Sequence, residues 1–218
     1  MNIDFKGVIF DCDGVLLNSM GIWKDLGVRY VKSFGLTPEP DLQVKLFSMS
    51  MEQGVEYVIE HYPINKSTEE VTKDLYSIIN DYYFYEVLSK TGAMEFLSLL
   101  KSKEIPMVVL TSSPRSHVEA ALKRNGLLEF FDKVLTTTEI GESKHNPVVF
   151  DVASKELGFD KKDILVAEDS LYALETASNS GFKTMGVFDE EGESNQAGLK
   201  AKADLYVKDL MEAYLAYR

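Results

Sequence analysis

The sequence predicts an α/β protein: a doubly wound parallel sheet with a small helical bundle inserted behind its first strand. Three observations predict this. Short apolar runs end repeatedly in polar residues, amphipathic helical stretches lie between those runs, and one long early stretch carries helical patterns alone. The length of 218 residues suits one large domain with a smaller companion and allows a buried core.

The first apolar run, residues 7–10, opens into Asp11-Cys12-Asp13-Gly14 and reads as a buried strand leading into a loop. A second run, 106–110, precedes Thr111-Ser112-Ser113, and a weaker one covers 133–135. Residues 164–167 precede Glu168-Asp169, and 182–187 and 205–207 complete the strand set. Residues 116–125 carry Val118, Ala121 and Leu122 at helical spacing, with Gly126 as a stop. Pro147 opens a helix that ends at Gly158, and residues 170–180 form another that ends at Gly181. Between 17 and 89 the pattern is helical only, over 20–34, 41–47, 51–61 and 68–85, punctuated by Pro38, Pro40 and Pro63. The expected organisation is therefore a sheet domain of 1–16 and 90–218, with a helical insert of 17–89.

Composition excludes several functions. Hydrophobic residues make up 45% and charged residues 27%, the balance of a globular chain. The formal net charge is −12 with no basic run, which argues against nucleic acid as a partner. No apolar stretch is long enough to span a bilayer. Acidic Asp4, Asp11 and Asp13 stand where a secretory leader needs a basic start and an apolar core. Cys12 is the only cysteine, so no intramolecular disulfide forms and a cytoplasmic location is expected. One cysteine and three histidines are poor material for zinc, so a metal here is expected to be a hard ion held by carboxylates.

Ligands of open parallel sheets bind outside the carboxyl ends of the strands. Here those ends carry Asp11 and Asp13, Thr111 and Ser112, and Glu168 and Asp169, while Lys144 lies in a loop able to reach the same edge. Carboxylates alone repel a phosphate; with Mg2+ between them they create a phosphoryl site. Taken singly, the features are bland: Asp-x-Asp-Gly suits turns, Thr-Ser-Ser suits a helix cap, and Glu-Asp before a helix complements its dipole. Val15 stands where a calcium loop needs an acidic or amide residue, which removes that reading. Jointly, four signals in this order exceed chance.

DCDGV, TSS, Lys144 in SKHNPVVF and VAEDS resemble the four motifs of the haloacid dehalogenase-like phosphohydrolase superfamily. The likeness is nearest to its β-phosphoglucomutase-like and phosphoglycolate phosphatase-like branch. It covers nearly the whole chain. Lys144, Pro147 and Phe150 match the branch's third motif, while His145 and Val148 depart from it. The resemblance implies a Rossmann-like core with a helical cap. It implies that Asp11 is the nucleophile that forms an aspartyl phosphate, and that Asp13 is the acid and base. Mg2+ would be held by Asp11, the Asp13 carbonyl and Asp169, with Glu168 in or beside the metal shell. Thr111 and Ser112 would hold the phosphoryl group, Lys144 would pair with Asp11, and Arg115 would add a phosphate contact. Cys12 alternates away from the two aspartates and reads as packing.

Other departures bear on the substrate. Mutases of this branch carry a histidine ten residues after the acid/base aspartate, where this chain has Trp23. Phe47 and Met51 align near their cap cations, with Lys45 as a substitute cation. Asn18 and Ala173 replace a frequent aspartate and a frequent glycine. The expected function is Mg2+-dependent hydrolysis of a small phosphorylated metabolite by a monomer or weak homodimer. A phosphomutase is the alternative. A receiver domain is disfavoured by the helical insert and Asp13, and a dehalogenase by Asp13.

Overall fold

The computed structural model describes residues 3–47 and 49–218. The apolar runs become strands β1 (Gly7–Phe10), β2 (Met107–Thr111), β3 (Lys133–Thr136), β4 (Ile164–Glu168), β5 (Lys183–Val187) and β6 (Leu205–Val207). They form one six-stranded sheet in the order β3-β2-β1-β4-β5-β6, parallel throughout. Every residue of β1, β2 and β4 is buried, as expected of strands covered on both faces. Helix Val148–Leu157 covers one face, burying Val149, Phe150, Ala153 and Leu157 with Ile9, Val108 and Leu110.

The chain starts in the middle of the sheet at β1, builds outward through β2 to β3, then crosses to β4 and builds outward to β6. The order reverses at β1, so its carboxyl end and those of β2 and β4 border the place where such sheets bind ligands.

The chain divides into two compact units, Met1–Ser19 with Val87–Arg218, and Met20–Glu86. The second unit is helical: Gly21–Ser33, Leu42–Phe47, Met51–His61 and Thr68–Asp81. Ser50 with Gln53, and Ser67 with Glu70, form reciprocal capping boxes at the last two helices. Two of the boundaries that differ from the sequence pattern have a local cause. Asp41 does not begin its helix; it sits at φ 63°, a left-handed conformation that aspartate tolerates, and the helix starts at Leu42. The helix from Thr68 ends at Asp81 and widens into a π-helical turn over Tyr82–Glu86, where four bulky aromatic residues follow one another.

In the first unit, the outgoing and returning segments of the chain are joined directly. Leu17 and Ser89 form an antiparallel bridge, the Asn18 amide donates to Leu88 carbonyl at 2.9 Å, and the Lys90 amide donates to Leu16 carbonyl at 2.8 Å. Just beyond, Gly92 adopts φ 81°, and a β-carbon there would lie 1.9 Å from the Met211 backbone nitrogen. Gly92→Ala thus combines left-handed strain with a backbone collision. It is expected to lower stability by about 2–4 kcal/mol, read as a lower denaturation midpoint at unchanged slope.

Candidate active site

Asp11 follows β1 directly, and its amide donates to the Ala167 carbonyl at 2.9 Å, extending the ladder with β4 by one rung. That rung sets its carboxylate beside the end of β4, where Glu168 and Asp169 emerge. Asp11, Glu168 and Asp169 are all buried, and each offers an oxygen within 4.8 Å of the others'. Lys144 reaches into this cluster from its loop: its Nζ is 2.7 Å from Asp11 Oδ1 and 2.7 Å from Glu168 Oε1.

Three carboxylates and one ammonium leave an excess of negative charge away from water. Burial pushes the Asp11 carboxyl up to about 7; the Lys144 charge opposes this, and Glu168 and Asp13 add to it. Burial also raises Asp169 well above the carboxylate range, helped by Asp11 and Glu168. Burial alone would push Lys144 down, but Asp11 and Glu168 outweigh it and hold the ammonium charged. Such an all-oxygen, electron-rich donor set fits a hard divalent cation, which would reverse the cost of ionising these acids. Gly14 contributes space: at φ 75°, a β-carbon on it would fall 2.2 Å from Asp169 Oδ2.

Asp13 is held differently. Its Oδ1 accepts from Ser19 Oγ at 2.5 Å and its Oδ2 from Ser113 Oγ at 2.6 Å. Thr111, at the end of β2, is buried, and its Oγ1 accepts from the Ser113 amide at 3.0 Å. The hydroxyl's own proton is therefore left to donate. Ser112 follows on the exposed turn. Cys12 is buried, and its thiol is pushed well above its ordinary range by burial and the flanking aspartates.

Arg115, expected to add a phosphate contact, is engaged within the chain. Its guanidinium is spent on Glu139, Glu119 and the Val134 carbonyl, with donor distances of 2.5–2.8 Å. Arg115 thereby fastens its helix to β3 and to the short helix Thr137–Ile140 that follows it. Conversely, Ser19 and Ser113 were not among the expected site residues. Ser113 lies within the Thr-Ser-Ser motif, but nothing in the spacing singled it out, and Ser19 carries no motif signal.

In the helical unit, Trp23 and Met51 line one apolar cavity of about 270 Å3 together with Leu26, Leu46, Met49 and Leu75. The Phe47 side chain lies outside the described residues. Lys45 is engaged by Glu39 at 2.8 Å and Tyr57 at 3.2 Å.

Residues 8–187 match the family model of the haloacid dehalogenase-like hydrolases. The chain belongs to that family. It is 25% identical over 178 residues to a phosphorylated carbohydrates phosphatase of Thermotoga maritima, covering 82% of each chain. It is 26% identical over 212 residues to validoxylamine A 7'-phosphate phosphatase of Streptomyces hygroscopicus subsp. limoneus, covering 95% of each. A crystal structure from Thermotoga maritima, provisionally assigned as a β-phosphoglucomutase, shares the fold with a TM-score of 0.85. It is 24% identical, with 97% of this chain and 98% of that one aligned. The chain is an enzyme of this hydrolase family, and its relatives place it among the phosphatases. Among the described residues no helix is long and apolar enough to cross a membrane.

The crowded acids predict a pH dependence. With a folded value near 7 against 3.8 unfolded, Asp11 binds more protons in the native state between those values. Stability of the metal-free protein is then greatest with Asp11 protonated and falls as pH rises through about 7. Thermal melts in chelator should show a lower midpoint at about pH 8 than at about pH 5, and Mg2+ should raise the midpoint more at the higher pH.

Proposed function

We propose that this chain is a Mg2+-dependent phosphatase that hydrolyses a small phosphorylated metabolite through an aspartyl phosphate on Asp11, in the cytoplasm. The observation that carries this reading is the pairing of Asp11 with Lys144 inside a buried carboxylate cluster, with a second, separately oriented carboxylate two residues away. Asp11, Asp169, Glu168 and the Asp13 carbonyl would hold the ion. When bound, it would neutralise phosphoryl oxygens so that an anionic nucleophile can approach an anionic ester.

The residues divide the chemistry. Lys144 favours the ionised form of Asp11 against the effect of burial and orients it. An Asp11 oxygen forms a bond to phosphorus as the bond from phosphorus to the alcohol oxygen breaks, and the Asp13 carboxyl gives its proton to that leaving oxygen. The Thr111 hydroxyl donates to a phosphoryl oxygen, and the Ser112 amide adds a second donor. Asp13, now a carboxylate, takes a proton from the water that attacks the aspartyl phosphate, releasing phosphate and restoring Asp11. The hydroxyls of Ser19 and Ser113 keep Asp13 directed while it changes protonation.

Residues 17–89 form the cap in this reading and recognise the organic part of the ester. The apolar cavity at Trp23 and Met51 supports an uncharged organic group over a second phosphate. A phosphomutase remains the second reading, because its chemistry shares the same aspartyl phosphate and the fold is shared with a provisionally assigned mutase.

Asp11→Asn should abolish phosphate release, because an amide forms no acyl phosphate. Asp13→Asn should lower turnover about 10²–10⁴-fold, with the first step spared on a nitrophenyl ester whose leaving group needs little protonation. A phosphate-release panel of phosphorylated sugars, acids, nucleotides and polyols, with and without Mg2+, tests the assignment. Activity in Asp11→Asn, or activity that survives chelation, would sink it. Supplying β-glucose 1-phosphate with catalytic glucose 1,6-bisphosphate decides between the two readings. Rapid formation of glucose 6-phosphate with little free phosphate would select the mutase.

A further inference from the structure

The loop after β5 has no part in the mechanism above, yet it is tied down on both sides of Asp169. β5 lies beside β4, with Gly186 opposite Glu168. Beyond it, Asp189 is 2% exposed and pairs with Lys90, itself 11% exposed, at 2.6 Å. Lys90 Nζ also donates to the Phe188 carbonyl at 3.1 Å, and the Lys90 amide is bonded to Leu16 in the segment that follows the first motif. The other Asp189 oxygen accepts the Glu191 amide at 2.8 Å, which turns the chain back. At the far end, Glu193 Oε2 accepts the Leu171 amide at 2.9 Å, two residues after Asp169.

Between these anchors lies Gly192. A β-carbon there would sit 2.8 Å from Asp169 Oδ2 and 3.2 Å from Asp189 Cβ. The loop therefore passes too close to the Asp169 carboxylate to admit a side chain at this position, as the chain does at Gly14, whose own β-carbon would meet the same oxygen. The Asp189 charge is close enough to be felt at Asp169.

We propose that residues 188–193 are a strap that positions Asp169 for its cation, anchored by the buried Lys90–Asp189 pair. The inference rests on the reading of Asp169 as a cation ligand. A buried ion pair contributes little net stability compared with an apolar pair of similar volume. What it adds is a fixed geometry and a charge balance. Lys90 offsets Asp189, so that the strap brings no additional charge to a site already rich in carboxylates. Lys90 and Asp189 are positioning residues, acting through Asp169 without touching substrate.

The test is Mg2+ titration calorimetry on the full chain, with thermal melts and turnover of a nitrophenyl phosphate measured in parallel. Gly192→Ala and Asp189→Asn are each expected to weaken Mg2+ binding about 10–100-fold. In both, turnover should recover at saturating Mg2+ with KM for the ester unchanged. Gly192→Ala leaves the ion pair in place, so it reports on the strap even if Asp189→Asn folds poorly. A double variant, Lys90→Met with Asp189→Leu, should regain the melting temperature but not the Mg2+ affinity. Variants that melt lower yet bind Mg2+ as the wild type does would overturn the strap and leave an ordinary structural loop. If the wild type itself takes up no Mg2+, the metal-dependent reading falls, and the strap falls with it.

Discussion

Lys144 places one ammonium between Asp11 and Glu168 where all three groups are largely buried. Removing an ionised group from water is costly unless it is paired and hydrogen-bonded, and the cost rises as the dielectric falls. The arrangement is tolerable only because β1, β4 and the Lys144 loop deliver their charges to one point. Two carboxylates face one ammonium, and Asp169 adds a third acid. The imbalance is what suits the site to a cation and what underlies the pH dependence expected of the bare protein. The parallel sheet supplies the precision: one register aligns Phe10 with Ala167, so Asp11 and Glu168 leave their strands at the same level.

Close backbone approach is the second requirement. Gly14 and Gly192 both stand where a β-carbon would strike Asp169. The carboxylate is thus confined by main chain rather than by side chains that can change rotamer. Asp13 is confined by hydroxyls instead. A hydroxyl can donate to a carboxylate and rotate to accept from a carboxyl, which suits the acid–base role proposed for Asp13. The two aspartates of one short motif are separated chemically by what holds them: an ammonium for one, hydroxyls for the other.

Much of this was legible in the residues. The six strands, the interruption by helices and the strand-end acids follow from apolar runs, punctuation and motif order. Lys144 could be named because a lysine in that loop joins a known order of motifs, although only the structure shows its bond to Glu168. Arg115 reads as a ligand because it is a basic residue near a phosphate motif, and its ion pairs with Glu119, one turn along its own helix, and Glu139, in the short helix after β3, are visible only in the structure. The helix from Thr68 was drawn four residues too long because apolar periodicity does not register a change in winding.

By itself the sequence determined the fold class, the family and the acids that can carry phosphoryl chemistry, because hydrophobic periodicity and short motifs are local properties. Only the tertiary structure decided which of three neighbouring hydroxyl residues serves Asp13, that Ser19 serves it as well, and that Lys90 and Asp189, nearly a hundred residues apart, meet beside Asp169. Those choices depend on where strands end relative to one another and on which loops cross above them. Contacts of that kind are made by packing, and no spacing along the chain encodes them.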